Sequence, residues 1–150
     1  ELHIYSHILS GDPQNINNVK YCKLIEKING LKNEGVIIKK PLTDKKMSEV
    51  IKKYRVHLYP SNSKEISASM LAESQASGVP GIARPLGSVQ EKMINGLTGY
   101  ITSDRRQFAE YTYRLLHDDN LYSRLSNAAM KNTSLISWDK VAMQFESFIK

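Results

Sequence analysis

The stretch LYPSNSKEISASMLAESQASGVPG, residues 58–81, decides how the rest of the chain reads. A strand-like run from Val56 ends at Tyr59, and Pro60 and Ser61 break it. The segment from Ser69 to Ser77 has helix-forming character and is stopped by Gly78 and Pro80. Gly81 to Ala83 then reads as another strand. Two carboxylates flank the predicted helix start, Glu65 before it and Glu73 about one turn inside it.

The same alternation extends toward the N-terminus. Leu2 to Tyr5 reads as a strand, Asn18 to Ile28 as a helix and Val36 to Ile38 as a second strand. A helix from Thr43 to Tyr54 follows, with Thr43 as its N-cap. Strands alternating with helices predict an α/β fold, a Rossmann-like, doubly wound parallel sheet with helices on both faces. After Thr102 the text turns to helix alone, with apolar stripes at Phe108, Tyr111, Leu115 and Leu116, at Leu121, Leu125, Ala128 and Ala129, and at Trp138, Val141, Phe145 and Phe148. Ser103 or Asp104, Asp119 and Ser137 are the expected caps of these helices. With no repeat, low-complexity tract or linker, residues 1–150 are expected to form a single domain.

Composition narrows the classes of function. The chain has 150 residues, 41% apolar and 24% charged, which suits one globular core. No run of 18 apolar residues exists to span a membrane, and no basic-then-apolar leader opens the text. A single cysteine, Cys22, cannot form an internal disulfide, so the expected compartment is the cytoplasm. The net charge of +6 raises the question of nucleic acid. Yet Lys45, Lys46, Lys52 and Lys53 lie opposite the apolar Met47, Val50, Ile51 and Tyr54 on one helix, the pattern of an ordinary solvated face. Neither a recognition motif nor interleaved aromatics accompanies them, so no nucleic-acid partner is expected. His3, His7, His57 and His117 share no ligand spacing, and no metal site is expected. The opening on Glu1, directly before an apolar stretch, reads as a piece of a longer protein whose upstream part is missing.

Chemistry follows from topology. Open parallel sheets bind ligands beyond the carboxyl ends of their strands, where the loop from Ser61 to Ser69 is expected. A helix N-terminus offers unpaired N–H groups and a partial positive charge, a seat for phosphate. Glu65 and Glu73 border that seat. Carboxylates repel phosphate but accept hydrogen bonds from hydroxyls, so a ligand with phosphate in its middle and sugar hydroxyls at both ends satisfies the arrangement. A nucleotide sugar is such a ligand. Ser61 reads either as a turn cap or as a ligand contact.

These residues resemble the family 4 (group 1) glycosyltransferases, specifically the C-terminal, donor-binding half of their GT-B fold. The resemblance rests on LYPS at Leu58 to Ser61, on Glu65 and Glu73 separated by seven residues, and on ASGVP at Ala76 to Pro80. It is extended by GSVQE at Gly87 to Glu91, NGLTGYI at Asn95 to Ile101, SW at Ser137 and Trp138, and Leu2 to Ser6 as the domain's second strand. It implies retaining, metal-independent transfer from a nucleotide-diphosphate sugar, with no other cofactor, to a glycan, lipid or polysaccharide acceptor. In the family's pattern Glu73 accepts from the ribose hydroxyls, Glu65 acts as the catalytic residue holding the transferred sugar, and the backbone N–H groups of Ile66, Ser67, Ala68 and Ser69 meet sugar and diphosphate. The family's glycines after the first glutamate are replaced by Ile66, Ser67 and Ala68, whose side chains narrow the approach to that backbone. The Arg and Lys that grip the diphosphate would precede Glu1, as would the first strand and the N-terminal acceptor domain, so this piece alone is expected to be inactive. The expected compartment stays the cytoplasm, and the resemblance leaves open a peripheral contact of the longer protein with the inner face of the membrane. The rival readings are another GT-B enzyme, such as a nucleotide-sugar epimerase, and a noncatalytic nucleotide-sugar-binding module.

Overall fold

The computed structural model describes residues 1–10, 19–132 and 137–149. They form two compact units, residues 1–47 and 48–150. In the first, strand β1 (Leu2–Tyr5) pairs in parallel with β2 (Val36–Lys39), Leu2 opposite Val36 and Tyr5 opposite Lys39. The crossover between them contains helix α1 (Val19–Gly30) and a short 3₁₀ turn (Lys32–Glu34). Gly35 ends that turn in the left-handed region, φ 88°, a conformation glycine adopts without a Cβ penalty. The expected start of α1 at Asn18 lies outside the described residues.

Helix α2 (Asp44–Ile51) begins where Thr43 was expected to cap it, the Thr43 carbonyl accepting the Met47 N–H at 2.8 Å. It stops three residues short of Tyr54, because the chain tightens into i→i−3 hydrogen bonds from Lys53 to Val50 and from Tyr54 to Ile51. Lys45, Lys46, Lys52 and Lys53 are all exposed and Ile51 is buried, as the solvated-face reading requires.

The second unit carries a three-stranded parallel sheet ordered β3 (His57–Tyr59), β4 (Gly81–Ala83), β5 (Gly99–Ile101). Its two faces have different cores. Ile82 points into one with Leu115, Leu121 and Leu125, supplied by α5 (Arg105–His117) and α6 (Asp119–Lys131). Ala83 belongs to the other, with Ala68 and Leu71 beside α3 (Ser69–Ala76) and with Val89 and Met93 around α4 (Val89–Lys92). Helices therefore cover both faces of this sheet, the doubly wound layering expected of alternating strands and helices. Hydrogen-bonded strand pairing divides into two strands in the first unit and three in the second.

Periodicity predicts neither β5 nor α4, although α4 begins within GSVQE and β5 lies within NGLTGYI, segments that carry the resemblance. β5 exists because two glycines meet: a Cβ on Gly99 would stand 2.2 Å from the Gly81 carbonyl oxygen and 2.6 Å from Met93 Sδ, a distance no real atom tolerates. Asp104 caps α5, its Oδ1 accepting from the N–H groups of Arg106 and Gln107 at 2.8 and 2.9 Å. The cap of α6, however, is Asp118 and not the expected Asp119. Asp118 is extended at φ −109° and its carboxylate receives the Leu121 N–H, whereas Asp119 is the first helical residue and binds Arg55. The final helix, α7 (Trp138–Ile149), starts after Ser137 as expected, but its apolar stripe is uncovered among the described residues, with Trp138 85% and Phe148 86% exposed.

Candidate functional site

β3 delivers the chain to the carboxyl end of the sheet, and a loop of residues 60–68 carries it into α3. The loop has a defined shape. Ser61 is left-handed at φ 51°, the Asn62 side chain accepts the Lys64 N–H at 2.9 Å, and the Asn62 carbonyl accepts the Glu65 N–H at 3.2 Å. It is seated on Gly87, left-handed at φ 57°, where a Cβ would stand 2.5 Å from the Glu65 carbonyl oxygen and 3.1 Å from that of Asn62. The glycine of GSVQE is thus needed for backbone to lie on backbone.

Glu65 does not project freely. The Tyr59 phenol donates to its Oε1, and Ser61 Oγ lies 3.1 Å from Oε2 and 3.0 Å from the Leu86 carbonyl, one hydroxyl proton between two acceptors. Burial, then the Glu65 hydrogen bond and charge, push the Tyr59 phenol above its ordinary pKa, so it remains a donor at neutral pH. A carboxylate has about four lone-pair sites. Glu65 is therefore held in one orientation while keeping acceptor capacity for a hydroxyl.

The entry into α3 is open. Among the described residues the backbone N–H groups of residues 66–70 have no acceptor, and the first helical bonds run from Leu71 and Ala72 back to the Ala68 carbonyl. Ala68 is left-handed at φ 43°, a conformation costing a non-glycine residue about 1–2 kcal/mol, and its methyl is buried against Leu71 and Val89. Its part in any ligand contact is confined to its backbone. Ile66 is 91% exposed, and the Ser67 and Ser69 hydroxyls lie 2.9 Å apart at the surface. Glu73, half-buried, lies one turn along the helix on the Ser69 face, and its carboxylate has no partner among the described residues.

All seven expected residues, Ser61, Glu65, Ile66, Ser67, Ala68, Ser69 and Glu73, thus come together on one loop and one helix end. Two residues escaped the sequence reading. Tyr59 orients Glu65; the only trace of it is an aromatic six residues earlier at the strand's end. His57 stands behind it, its ring edge-on to Tyr59 at 5.3 Å and its Nδ1 2.9 Å from Ser74 Oγ. Ser74 donates its own proton to the Leu71 carbonyl at 2.8 Å, so the histidine must supply the N–H at Nδ1. Burial lowers the His57 pKa to about 4, and the ring is neutral at physiological pH. Among the described residues no three His, Cys, Asp or Glu side chains gather as a metal site, and no helix is long and apolar enough to cross a membrane.

Comparison with known proteins shows the family and the fold. Residues 8–132 match the family described as "Glycosyl transferases group 1". The D-inositol 3-phosphate glycosyltransferase of a Nocardioides species is 32% identical over 75 residues, 49% of this chain and 16% of that protein. Anabaena HepE, solved in complex with UDP-glucose, superposes with a TM-score of 0.74 at 17% identity, over 89% of this chain and 38% of its own. Sucrose-phosphate synthase from Thermosynechococcus elongatus does so with a TM-score of 0.73 at 18% identity, over 99% of this chain and 37% of its own. The chain therefore spans well under half the length of each of these relatives.

Proposed function

The chain belongs to the group 1 glycosyl transferases, and from that premise we propose that it is the donor-binding half of a retaining, metal-independent glycosyltransferase. The donor is a nucleotide-diphosphate sugar, and the acceptor, a glycan, lipid or polysaccharide, binds to a separate N-terminal domain of the longer protein. One observation carries this reading. A run of unpaired N–H groups at the start of α3 lies between a pre-oriented carboxylate, Glu65, and an unengaged one, Glu73. The diphosphate occupies the N–H groups, where the helix end favours negative charge. Glu73 accepts from the ribose, and Glu65, steadied by Tyr59 and Ser61, accepts from a hydroxyl of the transferred sugar. The likeness of the fold to HepE, which binds UDP-glucose, supports UDP as the carrier.

Titration of this chain with UDP and UDP-glucose, followed by NMR, tests the division of roles. Glu73→Gln removes a charged acceptor and is expected to weaken both ligands by about 1–3 kcal/mol. Glu65→Gln is expected to weaken UDP-glucose alone. Gln fits the existing network, accepting from Tyr59 and donating to Ser61 while Ser61 donates to Leu86, so the fold is retained. Equal losses of bare UDP in both variants would overturn the assignment.

A further inference from the structure

A cavity of about 250 Å³ opens beside the donor loop, at the carboxyl ends of β3, β4 and β5. Each strand contributes the residues that follow it: Pro60 after β3, Arg84 after β4, Thr102 and Ser103 after β5. The first turn of α5 completes the wall with Asp104, Arg105 and Phe108. This rim is fixed. The Arg84 N–H donates to the Tyr59 carbonyl at 3.3 Å and the Thr102 N–H to the Ala83 carbonyl at 2.9 Å, continuing the sheet ladder past its strands. Thr102 Oγ1 is spent on Gln107 and the Asp104 N–H, and Asp104 Oδ1 on the cap of α5. The two arginines are not spent. Both are exposed, and neither has an ion-pair partner among the described residues.

We propose that this cavity is a second anion site, distinct from the start of α3, and that it takes the phosphate of a small organic phosphoester. Two arginines on the wall of one cavity suit a phosphate, whose oxygens a guanidinium fork binds bidentately. Asp104 opposes the anion, leaving one net positive charge on the walls, so recognition depends on both arginines acting together. Pro60 and Phe108 supply an apolar surface for the carbon skeleton attached to the phosphate. The volume lies below the roughly 300–1,000 Å³ of pockets for drug-sized ligands, which restricts the occupant to a phosphate with a short organic part. Because Pro60 adjoins Ser61, the bound phosphoester stands next to the donor loop. Sugar phosphates and lipid phosphates both present this chemistry.

The test is an amide-resolved NMR titration of this chain at constant ionic strength with three probes: inorganic phosphate, glucose 6-phosphate and hexyl phosphate. Saturable shifts are expected at the amides of Arg84, Ser103 and Arg105, with the organic phosphates binding tighter than phosphate alone. Preference for glucose 6-phosphate identifies a sugar source and preference for hexyl phosphate a lipid one. R84Q/R105Q is expected to weaken these titrations at least tenfold while UDP shifts at residues 66–70 stay as in the parent; each single substitution should give part of the loss. Absence of saturable shifts at the three amides, or their persistence in the double variant, overturns the proposal and leaves the donor reading standing.

Discussion

Replacing Gly87 by alanine tests whether the donor loop is built on that residue. Two costs combine there. The left-handed backbone, φ 57°, penalises any side chain by about 1–2 kcal/mol. In addition, the new Cβ would lie 2.5 Å from the Glu65 carbonyl oxygen, a backbone atom that yields only if residues 61–65 shift. Gly96 provides the control, since it is left-handed at φ 77° but has nothing within 4 Å of its Cβ position. Gly96→Ala therefore carries the first cost alone, about 1 kcal/mol, while Gly87→Ala is expected to lose about 2–4 kcal/mol. Urea unfolding followed by circular dichroism separates them, provided the slope with denaturant is unchanged. Gly87→Ala should also weaken UDP-glucose, because the displaced loop carries Glu65 away from its Tyr59 and Ser61 partners. Equal stability losses for the two variants would refute the claim that the loop rests on Gly87.

Two further predictions concern the scaffold. His57 titrates near 4 in the folded chain against about 6.5 unfolded, so the unfolded state takes up the proton first and stability falls as pH drops from about 6.5 to 4, by up to about 3 kcal/mol. His57→Asn keeps a donor for Ser74 but cannot titrate, and should flatten the stability–pH curve in that window; an unchanged curve would refute the assignment. Arg55 donates Nε to the Leu115 carbonyl and Nη2 to Asp119, both at 2.6 Å, with its guanidinium 4.5 Å from the centre of the Tyr122 ring. Asp119 is 89% exposed, so Asp119→Asn should cost under about 0.5 kcal/mol. Arg55→Met, which unpairs the end of α5, should cost about 1–3 kcal/mol in the same unfolding assay. A larger loss for Asp119→Asn would reverse the ranking.

The alternation of strands and helices, the helix break at Gly78 and Pro80, the basic solvated face and the two glutamates were all legible in the sequence. Each depends on residues within a few positions of one another, and periodicity reports directly which side of an element is apolar. What tertiary structure decided depends on groups far apart in the chain. β5 forms because Gly99 meets Gly81, and the loop that holds Glu65 lies on Gly87, approaches that no local pattern encodes. Of the adjacent Asp118 and Asp119, the first is extended and caps α6 while the second is helical and meets Arg55, more than sixty residues earlier in the chain, a division the local pattern does not encode. Ala68 illustrates the same division. The sequence marks it as a departure from glycine, but only the fold shows that it takes up a left-handed backbone, with its buried methyl packed against the core beneath the sheet. The apolar stripe of α7 was equally plain in the text, yet amphipathicity states that a face favours burial and not what covers it, and Trp138, Phe145 and Phe148 remain exposed. Glu65 was identifiable as a carboxylate at a helix entrance; that it is pre-oriented by Tyr59 and Ser61 follows from the turn at Asn62 and the end of β3, which bring three side chains to one point in space.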